Sequence, residues 1–493
     1  MGSIYNNSMD NYFTTPIFYP NSKPHLGTAY TLIIGDFFKR YYAQKGSCFF
    51  LTGTDEHGKK VAEAAQVNGL TPQQHVDNQR ENFLQLKSIL NLEWDHFIYT
   101  SSPKHQQCAQ QFWMDIYNKG LIYKGTYKGW YSQRDEQFFK ESELVDGKAP
   151  TGATVELMEE ECYFFKLSQF KDAIIDLYND ETIIVPHWRS KEIVNNLKHH
   201  GLEDLCVSRH KSRLSWGIPV PNDDNHVMYV WFDALTNYLT ALDYPHLKTN
   251  YWAHSHHIIG KDIVYFHGVI WPAMLMAAGL PCFKQLIVHG WITVNNEKMS
   301  KSLGNVVDPV ELCKTISSDY LKYFLLREIP LSSDYDFNWQ LLISRINDEL
   351  ADKMGNLVNR VINMVGKYCG GVIPQGTEPS IVWNEDLMDQ WVEKREINNY
   401  IQEILMKAIE LNKYIENRAP WKKDVDQNDR NKILWECCCG IYAMAKFLGP
   451  VTPIFSEKIM RSLGVDGYHG WAHLQGKVIN PQGILIEKII DEE

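Results

Sequence analysis

Thr14-Thr15-Pro16-Ile17-Phe18-Tyr19-Pro20-Asn21-Ser22-Lys23-Pro24-His25-Leu26-Gly27-Thr28, running on to Arg40, decides the fold of this chain. Residues 13–19 read as a short buried strand and 20–24 as a turn. Leu26 to about Tyr42 reads as a helix, with Leu32, Ile33, Asp36, Phe37 and Arg40 at helical spacing. A strand that passes through a tight turn into a helix opens a nucleotide-binding α/β unit. It aims backbone N–H groups and the positive end of a helix dipole at one spot. At that spot stand His25, whose ring can donate to a phosphate oxygen, and Gly27, whose missing Cβ lets a flat adenine approach the backbone. Alone, the same residues read equally well as a helix N-terminal histidine and a packing glycine.

A second stretch changes that balance. Lys298-Met299-Ser300-Lys301-Ser302 is followed by Leu303-Gly304-Asn305. Two lysines three apart, ended by a glycine, suit a loop that closes on polyphosphate, although basic loops also occur as plain solvated turns. A His-Leu-Gly element at an N-terminal strand–helix junction together with this late loop is far more specific than either alone.

The chain has 493 residues, too many for one ordinary core, which suggests two to four domains. Its 44% hydrophobic and 22% charged residues fit a globular protein. No apolar run approaches the ~20 residues of a membrane span, and no basic-then-apolar leader begins the sequence. The net charge of −11 comes from 49 Lys and Arg against 60 Asp and Glu. Bulk charge therefore does not announce a nucleic-acid binder, and it leaves room for a local patch. Ten cysteines form no CxxC pair, and Cys437-Cys438-Cys439 lie in an apolar helical run. Reduced thiols, no disulfides and a cytoplasmic setting are expected.

Along the chain, Cys48–Thr54 reads as a second buried strand and 60–67 as a helix. Thr71-Pro72 is a cap followed by proline at the first helical position. A strand near 98–101 and a helix over 102–119 complete an α/β half. From about 123 the pattern changes to short strands with turn signals and then mixed helix, an insertion. Strand-like runs return at 216–219, 227–231, 257–260 and 285–291, and their β-rich character suits a parallel sheet buried on both faces. Segments 307–328, 340–366, 385–416 and 430–447 have helical periodicity, so the last third is expected to be a helical bundle.

At these residues the chain resembles the methionyl-tRNA synthetases, a branch of the class I aminoacyl-tRNA synthetases. His25-Leu26-Gly27-Thr28 is similar to the class signature HIGH, and Lys298–Ser302 is its KMSKS signature in full. The resemblance extends through 52–58, 229–235, 260–267 and Asn417-Arg418-Ala419-Pro420-Trp421. It implies an α/β, doubly wound Rossmann-like catalytic domain (1–122 and 206–290) interrupted by a connective insertion (123–205). A KMSKS and stem-contact region (291–350) and an all-α anticodon-binding domain (351–493) would follow.

The implied reaction uses L-methionine, ATP with Mg2+, and tRNA(Met), with no covalent enzyme intermediate. The resemblance gives His25, Lys298 and Lys301 catalytic roles and adds Gly27, Thr28, Gly260 and Asp262 to the ATP site. It places Ile17, Tyr19, Asp55, Trp231, Ala234, Tyr238, His267 and Trp271 around methionine. An aromatic pocket suits a polarizable thioether, and Tyr238 or His267 is expected to present a donor near sulfur. Asp55 would hold the α-ammonium. Asn356, Arg360 and Trp421 would read the anticodon through an amide, a guanidinium and a stacking indole.

Two departures stand out. Thr28 occupies the last HIGH position, so a hydroxyl stands where the signature has a histidine. In the insertion, Ser132 stands where zinc-bearing relatives have a cysteine, and Cys162 stands alone in sequence. Four ligands are needed for a structural site, so no structural zinc is expected. Without a recognisable dimerisation module, a monomer is expected, with no membrane partner.

Overall fold

The computed structural model describes residues 10–490 except 133, 135, 136, 140, 300–303 and 382. They fold as two compact units, one from residues up to 24, 46–85 and 94–288, the other from 25–45, 86–93 and 289 onward. The strand and helix of the opening stretch therefore belong to different units. No helix among the described residues is long and apolar enough to cross a membrane.

The first unit is organised on strands β1 (Asn11–Thr14), β2 (Cys48–Thr54) and β3 (His96–Tyr99). Then come β4 (Ile122–Ser132), β5 (Gln137–Phe139), β6 (Val155–Phe165), β7 (Ile184–Val185) and β8 (Leu205–Cys206). Strands β9 (Ser208–His210), β10 (Pro219–Val220), β11 (Asp223–Met228), β12 (Ser255–Gly260) and β13 (Gln285–His289) follow. The main sheet has the order β3-β2-β1-β12-β13-β7. In it β1 runs parallel to β2 and β12, β2 to β3, and β13 to β7. The chain thus winds outward from β1 in both directions, which sets the carboxyl ends of β1, β2 and β12 side by side.

Local chemistry explains the boundaries. Strand β1 stops at Thr14, short of the expected Tyr19, because Pro16 has no N–H for the ladder. The segment still follows β2: Phe18 N–H donates to Gly53 O at 2.8 Å and Asp55 N–H to Phe18 O at 2.9 Å. Gly53 admits no side chain there, since a Cβ would lie 1.9 Å from Ile98 O. Thr71 caps the Pro72–Leu84 helix with a full capping box through Gln74.

Strands at 216–219 and 227–231 do not extend the parallel sheet. Strands β10 and β11 form a small antiparallel sheet with β9, and Val230–Leu235 is helical. In the 123–205 segment, β4 and β6 make a long hairpin in register from Ile122↔Phe165 to Ser132↔Val155, flanked by β5 and β8. The same segment supplies β7, the edge strand of the main sheet.

The second unit is mainly helical. Its helices include Leu26–Ala43, Pro309–Thr315, Ser318–Glu328, Asn356–Cys369, Ile397–Arg418, Gln427–Leu448 and Pro453–Ser462. Cys437, Cys438 and Cys439 are buried along the 427–448 helix, where they act as small apolar residues. Strands β14 (Ile292–Val294), β15 (Glu297–Lys298) and β16 (Tyr335–Asp336) form a small sheet.

The 26–43 helix is pinned within this unit by a buried charge cluster. Asp36 accepts from Lys322 Nζ at 2.8 Å, Arg40 Nε at 2.9 Å and Glu93 N–H at 2.7 Å. Lys322 also donates to Asn91 O at 2.6 Å. Burial pushes the Lys322 ammonium down from its usual pKa, and Asp36 pulls it partly back. Such a carboxylate is tolerated only while its partners remain. Lys322→Ala should therefore cost about 3 kcal/mol in urea unfolding of the second unit, and an unchanged midpoint would contradict this account.

Candidate active site

Near the carboxyl ends of β1, β2 and β12 the first unit builds an aromatic cluster. Trp231 stacks on Phe266 with ring centroids 3.8 Å apart and meets His267 edge-on at 6.0 Å. Tyr238 packs 5.8 Å from His267, 6.0 Å from Trp271 and 4.2 Å from His257. Ile17 and Trp231 pack against the same core, which includes Tyr238 and Trp271, and Ala234 is buried. Tyr19 is half-buried with its hydroxyl oxygen shielded from solvent. Asp55 is buried just past the end of β2. Gly260 ends β12, and Asp262 lies in the short helical turn Lys261–Ile263 that follows.

His267 sits in a π-helical turn, Phe266–Ile270, that runs directly into the Trp271–Ala278 helix. Pro272 has no N–H to bond the carbonyl of Gly268, and the buried Tyr178 hydroxyl donates to that oxygen instead. His267 Nδ1 lies 3.1 Å from Ile263 O, which can only accept, so Nδ1 carries the proton. Nε2 then accepts from the Tyr238 hydroxyl at 2.7 Å. Both protons are spent within the pocket wall, so in this arrangement neither group presents the sulfur-facing donor expected from the sequence. His257 is fixed similarly: Trp271 Nε1–H donates to its Nε2 at 3.3 Å, and its Nδ1 lies 2.7 Å from Thr14 Oγ1.

A layer of charge that sequence reasoning left without roles holds this wall in place. Buried Asp233, on the 230–235 helix, meets His57 Nδ1 at 2.6 Å and His105 Nε2 at 2.7 Å. Burial pushes its carboxyl up, but the two histidines outweigh burial and hold it below the usual carboxylate range. Glu56, also fully buried, takes a bidentate pair from Arg80 with both bonds at 2.7 Å. Trp216 Nε1–H donates to the Glu56 carbonyl at 2.6 Å. The signal for these residues lay in the Asp55-Glu56-His57 and 229–235 stretches, but their partners are distant in sequence.

In the second unit, His25 is the N-cap of the 26–43 helix. Its Nδ1 accepts from the N–H groups of Gly27 at 3.0 Å and Thr28 at 3.4 Å. The proton is therefore on Nε2. A Cβ on Gly27 would lie 2.9 Å from His25 Cε1 and 3.0 Å from Nδ1, so the glycine makes room for the capping ring. That is a different reason from the adenine approach read from sequence. The same Cβ position is 3.9 Å from Met299 Cε, and Leu26 N–H donates to Val307 O at 2.9 Å. The two signature elements thus lie side by side, with Lys298 Nζ held 4.1 Å over the Trp291 ring. Thr28 is buried in the first turn. Lys301 lies outside the described residues.

Arg360 and Trp421 also come together, with the guanidinium 4.7 Å above the indole and a bond of 2.5 Å to Glu416. Asn356 is one helical turn before Arg360 and bonds Asp352 at 3.1 Å. Trp421 remains 39% exposed.

Burial pushes the His267 imidazole down to about 4. Above an unfolded histidine value of about 6.5, both states are neutral and the stabilisation is intact. As pH falls towards 4, the unfolded chain takes up the proton first and roughly 3 kcal/mol is lost. His267→Gln should flatten the decline in urea-unfolding midpoint between those pH values. Parallel wild-type and variant profiles would contradict a buried neutral imidazole.

Known proteins resemble this chain over most of its length. The family described as tRNA synthetases class I (M) matches residues 11–154 and 149–362. The methionine–tRNA ligase of Caldanaerobacter subterraneus subsp. tengcongensis is 40% identical over 474 residues, covering 92% of this chain and 74% of that protein. The methionine–tRNA ligase of Rickettsia felis is 41% identical over 474 residues, with 92% of each chain covered. The Mycobacterium tuberculosis methionyl-tRNA synthetase in complex with methionyl-adenylate superposes with a TM-score of 0.90 at 35% identity, over 97% of this chain and 99% of that one. With the signature elements paired in one unit and the ring-lined pocket in the other, the chain belongs to the methionyl-tRNA synthetases, the class I ligases that join methionine to tRNA.

Proposed function

We propose that two sets of residues carry the ligase reaction of this chain. The reaction activates L-methionine with ATP to methionyl-adenylate and transfers the methionyl group to the 3′-terminal adenosine of tRNA(Met). In the first step the methionine carboxylate attacks the α-phosphorus and pyrophosphate leaves. Charge builds on the phosphate oxygens, and catalysis consists of holding the reactants in line and meeting that charge. His25, Lys298 and Lys301 are the proposed donors, with His25 acting through Nε2–H. Gly27 and Thr28 complete the helix N-terminus, and Gly260 and Asp262 are the proposed contacts to the nucleoside of ATP. Mg2+ enters with ATP as the substrate's counter-ion.

Ile17, Tyr19, Trp231, Ala234, Tyr238, His267 and Trp271 are the proposed wall around the methionine side chain. The thioether is polarizable and suits the edges and faces of these rings. Asp55 is the proposed partner of the α-ammonium. Asn356, Arg360 and Trp421 are the proposed anticodon readers, the stacked Arg360–Trp421 pair offering a platform for an unstacked base. The protein acts as a cytoplasmic monomer in this reading. Structural zinc has no part in it, because Ser132 replaces a ligand-bearing cysteine.

The pairing of the 25–28 turn with the 298–307 segment carries the proposal. That two signatures distant in sequence meet at a helix N-terminus supports assigning the imidazole N–H and the lysines to one anion. Lys298→Ala and Lys301→Ala should each slow methionine-dependent pyrophosphate exchange by about 100-fold, near 3 kcal/mol, while the methionine Kd stays within twofold. A collapse of methionine affinity with an intact exchange rate at saturation would contradict the assignment.

A further inference from the structure

At the end of the insertion lies a thiol pair that the ligase reaction does not use, one sulfur inside it and one on the residue just beyond. Cys162 on β6 and Cys206 on β8 lie on adjacent antiparallel strands, registered as Phe164↔Cys206. Both side chains are buried, and their sulfurs lie 2.6 Å apart, closer than a van der Waals contact. With Phe164 they form a small cluster against which Tyr127 packs. A purely apolar contact would leave that cluster without charge. Here Arg209 Nη1 lies 3.3 Å from Cys206 Sγ and is anchored on Ser208 O at 2.8 Å. The Arg209 guanidinium also stacks 4.8 Å over Tyr229.

The two sulfurs are electrostatically unequal. The contact with Cys162, opposed by burial and aided by the Arg209 guanidinium, brings the Cys206 thiol down to about 7. The same contact, with burial, pushes the Cys162 thiol up. A low thiol beside a guanidinium is the nucleophilic member of a pair, and a protonated thiol in contact with it is the resolving member. Cys437, Cys438 and Cys439 are also adjacent, yet burial pushes all three up. Arg209 lines a cavity of about 260 Å³ together with Tyr131, Met158, Glu160, Arg213 and Tyr229.

We propose that Cys162 and Cys206 form a hydroperoxide-oxidisable dithiol that links the connective insertion to the residue just beyond it, with Cys206 as the attacking sulfur and Cys162 as the resolving one. The Cys206 thiolate attacks the peroxide oxygen, so an S–O bond forms and the O–O bond breaks. The departing hydroxide or alkoxide takes up a proton. Cys162 sulfur then attacks the sulfenic sulfur of Cys206, an S–S bond forms, and the hydroxyl leaves as water with the Cys162 proton. Two thiols are oxidised and one hydroperoxide is reduced. The product ties β6 to β8 at the base of the β4–β6 hairpin, and a dithiol reductant reverses it.

The test is peptide mapping of the full-length reduced protein after exposure to hydrogen peroxide, with remaining thiols blocked under native conditions and again after unfolding. The expected result is the loss of two thiols, recovered as one linked peptide joining 162 to 206 and reversed by dithiothreitol. In folded Cys162→Ser protein, a 1,3-dione probe should label Cys206 as sulfenic acid. Wild-type protein that retains all its thiols under peroxide, or that forms its link between other cysteines, overturns the proposal. Since the wild-type result decides the matter, failure of the serine variant to fold does not shelter it.

Discussion

A carboxylate removed from water must be met by donors, and the first unit meets that demand at one point. Asp233 binds His57 with one oxygen and His105 with the other. One contact follows β2, one lies on the helix after β3, and the carboxylate is on the helix that carries Trp231 and Ala234. Removing either histidine would leave part of a buried charge unmatched, a costly defect in an apolar core. The constraint therefore fixes where the 230–235 helix begins and how its aromatic residues face the pocket. The Glu56–Arg80 pair repeats the device one residue from Asp55. The rings that would contact a thioether are set by charges that never touch it.

The same economy appears at the helix N-terminus of the second unit. An imidazole is a rare cap, and here it does two things at once. Its Nδ1 satisfies two backbone N–H groups that the helix leaves without partners. That bond in turn fixes the proton on Nε2, the atom suited to an anion. In the proposed reaction, helix capping and phosphate binding are one arrangement of one ring. Gly27 belongs to it because the ring occupies the space of a β-carbon.

Much of this was legible where short-range chemistry decides. Strand Cys48–Thr54 has the bounds read from its β-rich run, and the Thr71-Pro72 cap begins its helix as read. The signature stretches were recognisable because backbone cradles and paired lysines leave local traces. What escaped was set by distant partners. The strand read over 227–231 ends at Met228, and Val230 and Trp231 instead open a helix on which Asp233 faces two histidines. Strand β7 has two residues, too few for any periodicity, and exists through pairing with β13. The hydrogen bond between Tyr238 and His267 spends donors that residue types alone leave available. Cys162, alone in sequence, has a sulfur neighbour 44 residues away.

The most direct measurement is ATP–pyrophosphate exchange without tRNA, run with each of the twenty amino acids in turn. The account predicts exchange driven by methionine, with the aliphatic amino acids of similar size lower in kcat/KM by at least about 100-fold. Comparable exchange with leucine or isoleucine would contradict the central claim, that the ring-lined pocket held by Asp233 selects methionine.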